Sequence, residues 1–204
     1  VIADYTITEA MLSYFIDKAC GKYRFFKPEV MVCIPSGVTQ VERRAVLDAT
    51  MAAGAKIAYL IEEPLAAAIG AKIPIAQAAG HMVVDMGGGS TECAVISLGG
   101  VVVHNSVRAG GNKIDEAITS YTKKKFNLLI GERTAEAIKI AIGNALIDNK
   151  EEVRKTEVKG RDVVTGMPRT VELTEVQVNE AIYPVLMSII AAVKGVLEET
   201  PPEL

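Results

Sequence analysis

The sequence predicts an α/β fold, and two observations carry the prediction. Short apolar runs bounded by glycine, proline or charged residues alternate along the chain with longer segments whose apolar residues recur at helical spacing. Helix-start boxes of the form Thr-x-x-Glu or Thr-x-x-Gln stand before such segments at Thr6, Thr39 and Thr174. With 204 residues, 50% of them hydrophobic, the chain can build one large or two small domains around a real core.

The box Thr6-x-x-Glu9 opens a helix over residues 6–20, with Ile7, Met11, Leu12, Phe15, Ile16 and Ala19 on one buried face. After Gly21 the chain reads Lys22-Tyr23-Arg24-Phe25-Phe26-Lys27-Pro28. Adjacent phenylalanines cannot both face one core from a regular element. Either one packs inward while the other shields the helix end, or both form a membrane-touching tip with Lys22, Arg24 and Lys27 meeting anionic lipid.

Glu29 to Ile34 reads as a strand ending at Pro35-Ser36-Gly37, and the box Thr39-x-x-Glu42 then launches a helix to about Ala53, with Arg43-Arg44 on its solvated face. Lys56 to Ile61 is the next strand. Glu62-Glu63-Pro64 turns it into an alanine-rich helix with proline at its first position. Glu63 thereby stands at the C-terminal end of a strand, where open α/β sheets place their ligands. Service to the helix dipole is the competing reading.

The organising stretch is His81 to Gly100, HMVVDMGGGSTECAVISLGG. Met82, Val83 and Val84 form a buried strand that reaches Asp85 where it gives way to Gly87-Gly88-Gly89-Ser90-Thr91. Three glycines leave room for close approach, and their N–H groups can form a concave nest for phosphate oxygens. Ser90 and Thr91 add hydroxyls. Asp85 would repel a bare phosphate, so it requires a cation between, a hydrated Mg2+ leaning on one or two carboxylates. Ala94-Val95-Ile96 resumes as a second strand and ends in the Gly99-Gly100 turn. A plain tight hairpin turn is the alternative to a phosphate site.

Val101 to Val107 is a further strand, and Arg108-Ala109-Gly110-Gly111-Asn112 makes a second glycine turn before a helix from Lys113 to Lys125. A helix N-terminus behind such a turn suits an anion or a ribose. The next helix starts near Gly131 and sets Glu136 and Lys139 three apart, the spacing of a surface salt bridge. Residues 153–174 alternate as two strands around Thr165-Gly166-Met167-Pro168. The Thr174-x-x-Gln177 box starts the last helical run, where Pro184 predicts a break or kink and a hinge between subdomains.

Composition excludes several classes. A net charge of −3 and no dense basic patch argue against nucleic acid as a partner. Three cysteines without C-x-x-C spacing and only two histidines argue against a zinc site and for a reducing, cytoplasmic compartment. The most apolar late stretch, Val185 to Leu197, carries Lys194 and is too short to span a bilayer.

Asp85 to Ser97, the Ile61-Glu62-Glu63-Pro64 helix start, Arg108 to Asn112 before Asp115-Glu116-Ala117-Ile118, and Gly131 to Glu136 together resemble the MreB family of bacterial actin-like rod-shape proteins, along essentially the whole chain. The resemblance implies an actin-like (ribonuclease H-like) ATPase fold, present in part, whose two related α/β domains clasp a nucleotide. It implies that residues 1–78 belong to the first large subdomain and 79–107 to the second, with the phosphate hairpin. Residues 108–182 would be a small subdomain, and 183–204 a return helix. It further implies ATP and Mg2+ as cofactors. Asp85 would hold the Mg2+ shell through water, Gly87, Gly88, Gly89, Ser90 and Thr91 would form a phosphate loop, and Glu63 would orient the attacking water. Gly110 and Gly111 would approach ribose and phosphates, with Glu136 and Lys139 flanking the nucleoside. Phe25 and Phe26 fall where family members carry a membrane-inserting loop.

By the same resemblance the intact protein is a slow Mg2+-dependent ATPase. It polymerises on itself into filaments at the inner face of the cell membrane and guides cell-wall elongation proteins to keep the cell rod-shaped. The family's first phosphate loop and its later adenosine-binding glycine motif have no counterpart in these residues, so the chain alone is expected to bind nucleotide weakly or not at all. Ser90 stands where threonine is common, and Asn112, Ala137 and Ala141 replace charged residues, which bears on base preference. A chaperone-type or kinase-type ATPase of the same superfamily, or a nonenzymatic fragment acting through its surfaces, are the alternatives.

Overall fold

Parallel strand pairing sets the architecture around Glu63. The structure, a computed structural model, describes residues 4–21, 25–147 and 153–204. It divides into two compact units, one taking in residues up to Asp85, Glu92–Ser106 and Val196–Leu204, the other Met86–Thr91 and Val107–Gly195. The boundary read at 78/79 falls inside the first unit, and the one read at 107/108 lies beside the division at Ser106.

In the first unit, helix α1 (Tyr5–Cys20) starts on Asp4, whose Oδ1 accepts from the Ile7 N–H at 3.0 Å. The box read at Thr6 does not form, because Asp4 is an equally good cap two residues earlier and Thr6 already lies within the helix. The face read as buried is also largely open. Ile16 is buried, whereas Ile7, Met11 and Phe15 are exposed. Strands β1 (Glu29–Ile34) and β2 (Ile57–Glu62) run parallel, with Glu29 opposite Ile57 and Ile34 opposite Glu62. Helix α2 (Gln40–Ala52) makes the crossover between them, as a parallel pair requires. Its capping box forms as read: Thr39 Oγ1 accepts from the Glu42 N–H at 3.3 Å, and the Glu42 carboxylate accepts from the Thr39 N–H at 2.8 Å. Arg43 leaves the solvated face expected for it and donates to the Glu62 carboxylate at 3.0 Å, while Arg44 stays outside against Asp48.

Helix α3 (Glu63–Gly70) follows β2 without a loop, and Pro64 sits in its first turn, where a missing N–H is harmless. Strands β3 (His81–Met86), β4 (Thr91–Ser97) and β5 (Gly100–Val107) make a three-stranded sheet with β4 in the centre, buried along its whole length. Ala68 packs on Val83 and Ile96, with Leu65, Ile73 and Val101 around them. The small alanine lets helix and sheet approach closely.

In the second unit, α4 (Gly111–Phe126) ends on Asn127, held left-handed at φ 51°, and leads into β6 (Leu128–Leu129), a strand too short to leave a sequence pattern. Helix α5 (Glu132–Ile142) follows. Strands β7 (Lys155–Asp162) and β8 (Pro168–Thr174) form the expected hairpin, and β6 adds to its edge antiparallel through Leu128 and Asp162. Ile118, Leu128, Ile138, Val158, Leu173, Val178 and Ile182 form the core. Helix α6 (Glu175–Glu199) opens on the Thr174–Gln177 box and runs unbroken through Pro184, correcting the break read there. Pro184 is exposed, so the carbonyl it leaves unpaired can turn to water, while Val178, Ile182, Ile189, Ala192 and Val196 are buried on either side of it. Because the helix continues through the proline, its apolar stretch is longer than the run read from Val185. By length and composition alone it could cross a membrane. That stripe of buried residues is equally what a core helix of a folded domain presents.

Candidate functional site

The first unit gathers carboxylates. Glu63 is the first residue of α3, at the C-terminal end of β2; Asp85 lies near the end of β3, and Glu92 is the second residue of β4. Burial pushes the half-buried Glu63 carboxyl above its ordinary value, and the negative charges of Glu92 and then Asp85 push it further. Sequence reading did not single out Glu92. The available signal was a charged residue inside an otherwise uncharged strand. Glu92 is 3% exposed, and its Oε2 accepts from the Ser36 N–H at 3.1 Å. Burial, reinforced by the Glu92 charge, also raises the pKa of the neighbouring Cys93 thiol.

This donor set fits Mg2+ in one specific way. Among the described residues no three His, Cys, Asp or Glu side chains converge closely enough to hold a metal ion. A cation here would therefore keep its waters and lean on one or two carboxylates, which is how Mg2+ binds and zinc does not. Asp85 could serve in that way, and the repulsion felt at Glu63 is what a nearby cation would relieve.

In the second unit the two glycine turns read from the sequence lock into each other. The Gly87 N–H donates to Ser90 O at 2.9 Å and closes the first turn. The carbonyls of Gly87 and Gly88 then accept from the N–H groups of Gly111 at 3.0 Å and Asn112 at 2.8 Å. Thr91, fully buried, donates its hydroxyl to Ala109 O at 2.6 Å. Part of the sequence reading is thereby corrected. The Gly87 N–H belongs to the turn, the Thr91 hydroxyl to Ala109, and two N–H groups at the start of α4 to the first turn. What remains for an anion is the exposed rim, where the N–H groups of Gly88 and Gly89 have no partner among the described residues. Gly110 is required by contact, since a Cβ there would stand 2.4 Å from Gly87 O.

Beside this body, Lys139 does not pair with Glu136 as read. Its Nζ reaches Asp115 Oδ2 at 2.9 Å and Gly111 O at 3.3 Å, while Glu136 points to solvent. Asp115 is the stronger partner because its side chain is only 14% exposed, and a drier site screens the pair less. Asn112, Asp115, Glu116, Thr119, Ser120 and Glu132 line a cleft of about 450 Å3, of the size that takes a small-molecule ligand. Asp115 was missed because nothing in helical spacing pairs residues 115 and 139. Far along the chain from these groups, Phe25 and Phe26 are both exposed, so neither packs inward. Lys22 and Arg24, read as their basic flank, lie outside the described residues.

Three comparisons bear on these arrangements. The sequence model of the family described as MreB/Mbl protein matches residues 1–204. The cell shape-determining protein MreB of Pasteurella multocida (strain Pm70) is 54% identical over 205 residues, which cover all of this chain and 58% of that protein. The chain thus spans somewhat over half the length of the curated relative it matches. The crystal structure of MreB 5 of Spiroplasma citri bound to AMPPNP superposes with a TM-score of 0.91 at 33% identity, covering all of this chain and 61% of that one. A MamK double helical filament shares the fold at a TM-score of 0.77 and 18% identity, covering 59% of that chain.

Proposed function

The chain belongs to the MreB/Mbl family of cell shape-determining proteins, and on that footing we propose that it carries the phosphate-side half of an ATP site in a filament-forming, membrane-associated cytoskeletal protein. Its fold is actin-like, as read from the sequence, and family membership displaces the chaperone-type and kinase-type alternatives. The observation that carries the nucleotide reading is the interlocked pair of glycine turns, which leaves the Gly88 and Gly89 N–H groups on an exposed rim. Support comes from the AMPPNP bound by the Spiroplasma citri protein of the same fold.

In this reading the rim amides and Ser90 hold phosphate oxygens, Asp85 holds the water shell of Mg2+, and Glu63 orients the water that attacks the terminal phosphorus. The cation, when bound, neutralises charge on the phosphates. The cleft lined by Asn112, Asp115 and Glu132 takes the nucleoside, with Lys139 holding Asp115 in place. The protein works at the cytoplasmic face of the membrane, touching it through Phe25 and Phe26, and assembles with copies of itself alongside wall-elongation proteins.

The test is titration with a fluorescent ATP analogue, with and without Mg2+, of this chain and of a version extended to the length of its relatives. Tight Mg2+-dependent binding by the extended version, weakened by Asp85→Ala, is the expected result. Absence of binding by both would refute it. For the membrane, Phe25→Ser with Phe26→Ser is expected to abolish cosedimentation with anionic vesicles; unchanged cosedimentation refutes that contact.

A further inference from the structure

We propose that Ser36 and Glu92 enclose an ordered water behind Glu63, and that Glu92 is thereby a positioning residue for the hydrolysis proposed above. The inference rests on that reading for its kinetic part and on geometry alone for the water.

Three polar atoms in the first unit are buried without a partner among the described residues, His81 Nε2 and the pair Ser36 Oγ and Glu92 Oε1. Ser36 is 8% exposed and Glu92 3%, so bulk water does not satisfy either. They belong to residues already joined, because the Ser36 N–H donates to the other Glu92 oxygen at 3.1 Å. A buried hydroxyl and a buried carboxylate oxygen, both unpaired on residues that are already joined, are the kind of polar groups that a buried water satisfies. A water there donates one hydrogen to Glu92 Oε1 and meets the Ser36 hydroxyl with its oxygen.

The position of this pair gives it a function. Because β1 and β2 are parallel, with Ile34 opposite Glu62, the Pro35–Gly37 turn and the start of α3 leave the sheet at the same edge. Glu63 is the next residue after that register position. Glu92 reaches this edge from β4, the central strand of the other sheet in the unit, and fastens the turn to it. Gly37 completes the turn with His104 beside it, since a Cβ at Gly37 would lie 3.7 Å from His104 Cε1. The turn at the sheet edge that carries Glu63 is thus fastened by the Glu92 side chain, with the proposed water behind it. Loss of Glu92 frees the turn, and an orienting carboxylate whose surroundings shift by an ångström loses much of its effect.

The experiment has a structural and a kinetic arm. A high-resolution crystal structure of this chain is expected to show a water within hydrogen-bond distance of both Ser36 Oγ and Glu92 Oε1. A hydroxyl turned directly onto Glu92 with no water overturns the site. In the chain extended to the length of its relatives, kcat and KM for ATP are measured for Glu92→Ala, Glu92→Gln, Ser36→Ala and Glu63→Gln. Glu92→Ala is expected to lower kcat by about tenfold to a hundredfold with KM little changed. Glu92→Gln is expected to rescue most of it, since its amide oxygen still accepts from Ser36 and its NH2 can hold the water. Ser36→Ala, which keeps the backbone bond, is expected to lose a few-fold, and it and the Gln variant remain informative if Glu92→Ala fails to fold. Equal loss in Glu92→Gln and Glu92→Ala overturns the positioning role in favour of charge. Wild-type kcat in Glu92→Ala, with Glu63→Gln inactive, overturns the inference and leaves the hydrolysis reading standing. Wild-type kcat in Glu63→Gln removes the hydrolysis reading itself and the role of Glu92 with it.

Discussion

Gly110→Ala separates a glycine that the fold needs from a glycine that a ligand needs. Gly110 is extended at φ −163°, which any residue adopts, so glycine supplies only the absence of a side chain there. A methyl group would stand 2.4 Å from Gly87 O and 2.9 Å from Gly88 O, both backbone atoms that cannot rotate aside. Relief needs the two turns to part by about 1 Å. The bonds from Gly111 N–H at 3.0 Å and Asn112 N–H at 2.8 Å would then stretch beyond hydrogen-bond range. Two lost bonds at about 1 kcal/mol each, with about 1–3 kcal/mol for the forced contact, give roughly 3–5 kcal/mol. For a chain of this size that lowers Tm by about 6–20 °C. The control is Gly89→Ala, where the added carbon meets nothing within 4 Å. It is expected to melt within a few degrees of the native protein while weakening, in the chain extended to the length of its relatives, the nucleotide binding proposed for the rim. Gly88→Ala falls between, because its contact at 3.1 Å is the movable end of the Asn112 side chain. Thermal unfolding followed by circular dichroism reads the series. If Gly110→Ala melts with Gly89→Ala, the turns are not interlocked and the description of the second unit is wrong.

Lys139→Met is expected to cost about 1–3 kcal/mol in urea unfolding, because it strands Asp115, whose Oδ1 already lacks a partner among the described residues; adding Asp115→Asn should recover part of the loss. Glu63→Gln should be neutral at pH 4 and stabilising at pH 7. A carboxyl whose pKa is raised by folding carries no penalty below its ordinary value and a full one once pH passes the raised value, and the amide removes that penalty. Melting curves at the two pH values check the sign, and a destabilising effect at pH 7 refutes it. Pro184→Ala should stabilise α6 by about 1–3 kcal/mol, since alanine restores a backbone donor inside an unbroken helix at an exposed position; a lower Tm would mean that the helix depends on the distortion.

What the sequence made legible was local. Thr39 with Glu42, Thr174 with Gln177, Pro64 in a first turn and the β7–β8 hairpin each depend on residues a few positions apart, and each formed as read. The two glycine turns were legible as turns because nothing else explains such runs. Their interlocking was not, since it joins Gly87 to Gly111 through backbone atoms that carry no residue-specific signal. Lys139 was assigned to the nearest acid in helical spacing, and burial decided otherwise, because Asp115 from another helix offers a less screened charge than exposed Glu136. The face of α1 was read as buried from its periodicity. Periodicity says which residues share a face and is silent on whether a neighbour covers it.

The placement of acids in the first unit is difficult to explain by folding alone. Bringing the charges of Glu92 and Asp85 within reach of Glu63 raises the cost of ionising it, and a buried carboxylate holding one hydrogen bond spends solvation it does not recover. A glutamine at position 92 would accept from Ser36 equally well, carry no charge and offer its NH2 to the unpaired hydroxyl. A chain shaped only for stability gains from that exchange. A hydrated cation leaning on Asp85 would change that balance, because its charge offsets the repulsion that Glu92 and Asp85 exert on Glu63. The disagreement between what would stabilise the empty unit and what the chain carries is what the proposed cation would resolve. In the chain extended to the length of its relatives, Mg2+ with nucleotide is then expected to raise the Tm more than it does in Asp85→Asn, and an equal rise in both refutes the role of Asp85.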